Sequence, residues 1–282
     1  MSLPLRPVII IPVHNRCATT LACLRRLRAN GDFARCAVLV VDDGSTDGTG
    51  AAVQTEFPEV EILGGDGHLW WTGAIALGMN HAFARGAPAV IWLNDDCLPA
   101  AGTLDALLAQ ALAATFPLVA PACFMAETGQ AVPNAFRGRN RVTPRAGETC
   151  EVDGLSGFCV ALPRAVWSRI GPPDARRFPH YFGDNAYTLT ATRAGFPAMV
   201  LGAVRADLTG FRVPLTLPLL HDPARTWREN FERAFISPKS PCRWRTLFAF
   251  QRLKYGPVAG RLLATGRAAA GVAQLLWLQV RG

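Results

Sequence analysis

Two acidic pairs are the groups in this chain best placed to do chemistry. Asp42-Asp43 closes the apolar run Ala37-Val38-Leu39-Val40-Val41, and Asp95-Asp96 closes Ala89-Val90-Ile91-Trp92-Leu93-Asn94 about fifty residues later. Neighbouring carboxylates repel, so a cation or hydrogen-bond donors must compensate them. A hard divalent cation bound through one or two carboxylates keeps coordination sites for diphosphate oxygens. The two pairs therefore point to a metal ion and a nucleotide held together. A third acid, Asp184, follows Pro179-His180-Tyr181-Phe182-Gly183 and precedes a helical stretch from Ala186 to Arg193. A helix N-terminus favours an ionised carboxylate, which suits a catalytic base and an ordinary helix cap equally.

The pattern of apolar residues supplies the elements that must hold these acids. Short aliphatic runs bounded by turn formers read as buried strands. Val8-Ile9-Ile10-Ile11, stopped by Pro12, is the first, and the runs before each acidic pair and Val60-Glu61-Ile62-Leu63 are others. Thr20 caps a helix carrying Leu21, Leu24 and Leu27. Further helices are expected over 51–57, from about Gly73 to Arg85, and along Leu104, Leu107, Leu108, Ala111 and Leu112. This alternation predicts an α/β fold, with a doubly wound, mostly parallel sheet and helices on both faces. Ligands bind such sheets at the carboxyl ends of the strands, where both acidic pairs lie. The stretch 126–153, with Gly129, Gly138, Gly147, Pro133 and Pro144, reads as a long loop or irregular hairpin.

Length and composition bound the rest. The 282 residues, half of them hydrophobic, suit one substantial domain with an appendage. The net charge of +8 is uneven: residues 1–223 carry −1, and the chain from Ala224 onward carries +9. Eight scattered cysteines without a Cys-x-x-Cys pair argue against a zinc site or disulfide framework and fit a reduced cytosol. The stretch Met1 to Pro7 holds no apolar signal region, and no run reaches eighteen apolar residues. A cytoplasmic protein is expected, peripheral on the inner face of the membrane if its basic end binds lipid.

The turn after the first strand, Pro12-Val13-His14-Asn15-Arg16, lacks the glycines of a dinucleotide-binding or pyrophosphorylase loop, which sets those classes aside. Taken with Val40-Val41-Asp42-Asp43-Gly44-Ser45-Thr46-Asp47 and Asn94-Asp95-Asp96, it resembles the signature of glycosyltransferase family 2. The resemblance covers residues 8 to 125 and extends loosely to Gly183-Asp184-Asn185. It implies a GT-A fold and inverting transfer of a sugar from a nucleotide-diphosphate sugar. A domain over 1–237 would then comprise a nucleotide-sugar half (1–125) and an acceptor half (126–237), followed by a basic amphipathic helical tail (238–282).

Carried over position by position, the resemblance gives Asp43 the pyrimidine base of a UDP- or dTDP-sugar, with Pro12 and His14 lining the pocket. Asn15, Ser45, Trp71 and Gly73 complete the donor site, and Asp95 lies near the ribose and metal. Asp96 binds Mn²⁺ or Mg²⁺, and His221 is the candidate third ligand. Asp184 is the base that deprotonates the acceptor hydroxyl. Two departures stand out: Asn94 where Asp-x-Asp is commoner, and Gly183 where Glu precedes the Asp. Trp70-Trp71-Thr72-Gly73 and the late histidine resemble a rhamnosyltransferase-like subgroup. The expected acceptor is a lipid-linked or polysaccharide glycan.

The tail interleaves Arg243, Arg245, Arg252, Lys254, Arg261 and Arg267 with Trp244, Phe248, Phe250, Leu253 and Leu262. That pattern suits a helix on an anionic membrane surface, a polyanion-binding face, or a helix packed on the catalytic domain. Nucleic acid is disfavoured, because no RNA-binding signature appears. Two rivals of another class remain: a noncatalytic nucleotide-sugar-binding protein, and a polyanion-binding protein led by its tail.

Overall fold

The structure, a computed structural model, describes residues 5–210 and 217–281. The beginning of the stretch Met1 to Pro7 therefore lies outside the described residues. The first part of the chain runs β1 (Val8–Val13), α1 (Cys17–Ala29), β2 (Ala37–Asp42), α2 (Thr49–Glu56), β3 (Glu61–Gly64), α3 (Trp70–Ala84), β4 (Ala89–Leu93), β5 (Cys97–Pro99) and α4 (Thr103–Ala111). β3, β2, β1 and β4 lie side by side and parallel; β3 forms the partly exposed edge, and β2, β1 and β4 are buried between helices. Their near-continuous Ile, Val and Leu content follows from that double covering. Ile9, Ile11, Val38 and Val40 face one core with Leu24 and Leu27 of α1, and Ile10, Leu39 and Val41 face the other with Ile75 and Met79 of α3.

The sheet continues through β6 (Leu118–Met125), with β7 (Ala131–Val132), β8 (Ala135–Arg137), β9 (Asn140–Val142), β10 (Thr149–Glu151) and β11 (Gly154–Leu155) following in the chain. Next come β12 (Cys159–Pro163), α5 (Arg164–Ile170), α6 (Gly183–Arg193) and β13 (Ala198–Leu208). β12 inserts antiparallel between β4 and β6, and β13 runs parallel to β6. The strand order is β10-β13-β6-β12-β4-β1-β2-β3. An antiparallel β12 starts at the edge where the parallel strands end. That topology brings Gly157 and Phe158 beside the acidic pairs. The stretch 126–153 holds β7 to β10, with β8 and β9 paired as a short antiparallel hairpin that β11 extends to a three-stranded sheet.

Two local expectations are corrected. Pro12 does not end β1, which pairs with β2 through Val13. β4 pairs β1 only at Val8 to Ile10, so the missing N–H at Pro12 falls on an unpaired side. Thr20 is not an N-cap: α1 already begins at Cys17, and Thr20 is buried within it.

The C-terminal part folds as α7 (Leu217–Leu220), α8 (Trp227–Phe231), α9 (Trp244–Tyr255) and α10 (Pro257–Arg281). Thr226 and Glu229 form a reciprocal capping box at the start of α8. α9 and α10 pack against each other, with Gly260 allowing the close approach: a Cβ there would collide with the backbone of Gln251 and Arg252. α9 also joins the part of the chain around α6. Phe250 stacks on Phe182 (centroids 4.7 Å apart, 20° between planes) and meets Phe136 edge-on. Thr246 donates to the carbonyl of Arg177 (3.2 Å), and Arg193 donates to the carbonyls of Leu253 and Lys254. No helix among the described residues is long and apolar enough to cross a membrane.

The aromatic contact has a measurable consequence. Phe182 holds a left-handed backbone conformation (φ +65°) as the residue before α6, a costly state for an aromatic residue. Phe250, buried against it, is its packing support. Phe250→Ala is expected to lower unfolding stability by about 3–5 kcal/mol, the usual cost of emptying a buried aromatic site. Chemical denaturation of the purified chain measures it.

Candidate active site at the carboxyl edge of the sheet

Three loops meet at this edge. His14 Nδ1 lies 2.7 Å from the carbonyl oxygen of Asp43, which ties the loop after β1 to the loop after β2. Asn15 strengthens the tie: its N–H donates to Ser45 Oγ (2.8 Å) and its Oδ1 accepts from the N–H of Thr46 (2.7 Å). Asn15 does this from a left-handed conformation (φ +52°), which asparagine tolerates better than most residues. Pro12 sits half-buried immediately upstream. Pro12, His14, Asn15, Asp43 and Ser45 are thus brought together.

Asp43 is buried, and both its oxygens are engaged. Oδ1 accepts from the N–H of Gly67 (2.8 Å) and Oδ2 from the N–H of Trp70 (2.9 Å). The carboxylate thereby fixes the loop from Gly64 to Trp70 and sets the start of α3. Gly65 is needed there, since a Cβ would press on the Asp43 side chain and on Leu69. Each oxygen keeps a second lone pair that a ligand can use.

Asp95 and Asp96 follow β4, and the cation compensating them is Arg16. Its Nε donates to Asp95 Oδ2 (2.9 Å) and its Nη2 to Asp96 Oδ2 (2.9 Å), so one guanidinium spans both carboxylates. Thr20 Oγ1 adds a 3.0 Å bond to Asp95 Oδ2. The Asp95 side chain is only 5 % exposed, against 37 % for Asp96 and 40 % for Arg16. Burial pushes the Asp95 carboxyl above the ordinary aspartate range, with Arg16 and Thr20 pulling against it. Arg16 and Thr20 are the functional residues that sequence reasoning missed. Arg16 lay inside the quoted motif, and the need for a compensating cation was its signal. Thr20 carried none, because its role depends on α1 starting a turn earlier than expected.

Trp71 links this cluster to the segment before β12. Its Nε1 donates to Asn94 Oδ1 (2.8 Å), and its ring meets buried Trp92 edge-on at 5.6 Å. That bond gives Asn94 a role that an aspartate would also accept, as a hydrogen-bond acceptor. Gly73 is buried in the first turn of α3, where Leu69 leaves little room for a side chain. Gly157 lets the Trp71 ring pass: any side chain would collide with it and crowd Asp184.

Asp184 occupies the first turn of α6 and accepts from the N–H of Gly157 (2.7 Å, to Oδ2) and of Asn185 (2.7 Å, to Oδ1). Burial raises its pKa, and those two N–H groups lower it in opposition. The side chain is nonetheless partly open to solvent. A carboxylate so placed, its basicity raised by burial, has the chemistry a general base needs. Gly183 has a packing reason: its neighbour Thr72 fills the space a glutamate would need. At the rim, Trp70 meets His180 (6.0 Å) and lies under the Lys239 ammonium (5.3 Å from the ring centroid). Burial, then Lys239, lowers the His180 pKa and favours the neutral imidazole.

His221 is placed differently from the metal-ligand expectation. It lies in the C-terminal helical part, its Nε2 3.3 Å from Gln279 Oε1, and makes no described contact with Asp95 or Asp96. Among the described residues no three His, Cys, Asp or Glu side chains gather to hold a metal ion. Asp95 and Asp96 alone still suit a hard divalent cation: both offer carboxylate oxygen, and a resident cationic group already spans them. A diphosphate and water would supply the remaining ligands. Of the other histidines, His81 pairs with Glu61 (2.8 Å) and His68 is exposed, as expected for surface roles. Asn80 accepts from Trp167 Nε1 (3.0 Å), a packing role. All eight cysteines are free thiols.

A mixed sheet with its acids gathered at the carboxyl edge of the parallel strands, and helices around it, defines an α/β domain of the GT-A type. The chain belongs to glycosyl transferase family 2, whose sequence profile matches residues 8–167. Comparison with curated proteins gives no match. Among solved structures, GalNAc-T7 with UDP, GalNAc and Mn²⁺ superposes with a TM-score of 0.63 at 14% identity, over 93% of this chain and 54% of that one. This chain thus spans about half the length of GalNAc-T7. The mannosyltransferase PcManGT from Pyrobaculum calidifontis, with GDP-Man and Mn²⁺, gives 0.57 at 20% identity, over 99% and 81% of the two chains. S. aureus TarS gives 0.56 at 18% identity, over 73% of this chain and 37% of that one. At these identities the likeness is one of fold.

Proposed function

We propose that this chain is an inverting, metal-dependent glycosyltransferase that moves a sugar from a UDP- or dTDP-sugar to a lipid-linked or polysaccharide glycan. The observation that carries the reading is the continuous chain of contacts from Asp184 through Gly157 and Trp71 to Asn94 and the Asp95–Asp96 pair. It links Asp184 to the Asp95–Asp96 pair, and direct displacement at an anomeric carbon needs a base and a cation-binding group close together. The loop held by Asp43, His14, Asn15 and Ser45 receives the nucleoside. Trp71 and the start of α3 border the sugar and diphosphate, where the N–H groups of a helix end favour anions. Asp184 takes the proton from the acceptor hydroxyl as it attacks opposite the departing diphosphate. A divalent cation held by Asp96, Mn²⁺ or Mg²⁺, supplies positive charge against that leaving group.

The structures similar in fold that carry UDP or GDP-Man with Mn²⁺ support a nucleotide-sugar donor and a divalent cation. The pyrimidine preference rests on the likeness of Asp43 to the family's base-binding acid. On the acceptor side, Trp70 and His180 offer flat faces of the kind that stack on sugars. Beside Lys239 a cavity of about 790 Å³ opens, its lining mixed: Arg225, Arg233 and Lys239 with Glu229 and Glu232, and apolar Leu220 and Ile236. The lipid-linked acceptor is supported by the basic C-terminal part, where Val258 and Leu262 lie exposed on α10 for contact with an anionic membrane surface. A cytoplasmic enzyme at the inner membrane face agrees with that chemistry, and the rhamnosyltransferase-like reading rests on the resemblance of Trp70-Trp71-Thr72-Gly73 and the late His221.

A thermal-shift series with UDP, dTDP, GDP and CDP, each with and without Mn²⁺, tests the donor site. A ligand at about a hundred times its Kd stabilises by about 2.7 kcal/mol. The expected result is a clear upward shift in Tm with UDP or dTDP that requires Mn²⁺. Equal shifts with all four nucleotides, or none, would reject the pyrimidine site.

A further inference from the structure

Arg16 does more than neutralise two acids. Its planar guanidinium is forked across Asp95 and Asp96 at 2.9 Å each, so its positive charge lies where a divalent cation bound by these carboxylates would place its own. A cation cannot enter without displacing it. The arrangement allows that displacement. Arg16 sits on an exposed loop just ahead of α1, and its side chain is 40 % exposed. When it leaves, buried Asp95 keeps its bond from Thr20, and half-open Asp96 faces the incoming ion. The neighbouring Asn15 and Ser45 belong to the loops proposed to receive the nucleotide.

We propose that Arg16 is the exchangeable counter-ion of the Asp95–Asp96 pair, and that it couples metal binding to nucleotide binding. A divalent cation alone must break two charge-assisted hydrogen bonds and leaves Arg16 without a partner, so it binds weakly. A nucleoside diphosphate gives Arg16 a new anion, and the cation then enters an acidic pair already vacated. Each ligand strengthens the other by the same factor, because coupling between equilibrium affinities is reciprocal. This rests on the proposed donor site, but its first readout uses the metal alone.

The test is a Mn²⁺ titration of the full chain, followed by the electron paramagnetic resonance of free Mn²⁺, with and without UDP. Wild type is expected to bind Mn²⁺ at least about tenfold more tightly with UDP than without. Arg16→Met, which keeps the stem and removes the charge, is expected to bind Mn²⁺ alone about tenfold more tightly than wild type and to show a smaller gain on adding UDP. Unchanged or weaker binding of Mn²⁺ alone by Arg16→Met would overturn the proposal and leave Arg16 a structural brace. If that variant fails to fold, Arg16→Lys decides. A lysine cannot span both carboxylates, so Mn²⁺ alone should bind more tightly than to wild type, and equal affinity would overturn the proposal. If wild type bound no nucleotide, the donor site would fall, while the Mn²⁺-alone comparison would still judge Arg16.

Discussion

Asp184→Asn is expected to lower sugar transfer by about a thousandfold, within the range that a positioned general base contributes. UDP or dTDP should still bind in the presence of Mn²⁺, because Asp184 touches Gly157 and Asn185 and not the loops around Asp43. Paired kcat and nucleotide-affinity measurements separate the loss of a base from a collapsed site. Asparagine can accept only one of the two N–H bonds that Asp184 accepts, so retained nucleotide binding also reports an intact fold. The pH dependence carries the same signature. Burial raises the Asp184 pKa, and only the ionised form can take a proton. The rate should therefore fall as pH drops, with its acidic limb above the ordinary aspartate range. The same shift has a stability counterpart. Its contribution to folding is fully present below the ordinary aspartate pKa and fades as pH rises through the raised one.

Asp96→Asn is the second large effect. Asp96 is the more exposed of the pair, and its loss leaves buried Asp95 still paired with Arg16 and Thr20. The fold should survive, and thermal unfolding without ligands should change little. Nucleotide binding should lose its dependence on Mn²⁺, and transfer should fall by about a thousandfold or more, since charge stabilisation by a bound cation is worth several kcal/mol. Calorimetric titration of UDP with and without Mn²⁺ measures the first part, and an assay of released nucleoside diphosphate the second.

Much of the site was legible because strand ends are legible. The apolar runs before Asp42-Asp43 and Asp95-Asp96 read as buried strands from their length and turn-forming flanks, and the alternation with helices pointed to the edge their acids share. Repulsion within Asp95-Asp96 demanded a cation, and Arg16 supplies it. Long-range geometry was harder to read. Nothing local says that β12 enters antiparallel and carries Gly157 to Asp184, or that Gly183 is small because of Thr72, more than a hundred residues away. Thr20 resembled a cap because its hydroxyl chemistry is the same whether it meets a helix end or a carboxylate. His221 was chosen because the resemblance offers a late histidine as third ligand, and its contact with Gln279 depends on the packing of α10. The tail looked detached by composition, yet Phe250 reaches the aromatic residues that set the α6 start.

The most direct test of the central claim is real-time NMR of the purified chain with Mn²⁺ and a panel of UDP- and dTDP-sugars, water serving as acceptor in the absence of a glycan. The account predicts release of nucleoside diphosphate from at least one donor, with the sugar first appearing in the anomeric configuration opposite to that of the donor. Retained configuration would contradict direct displacement assisted by Asp184, and no release from any donor would contradict the transferase reading itself.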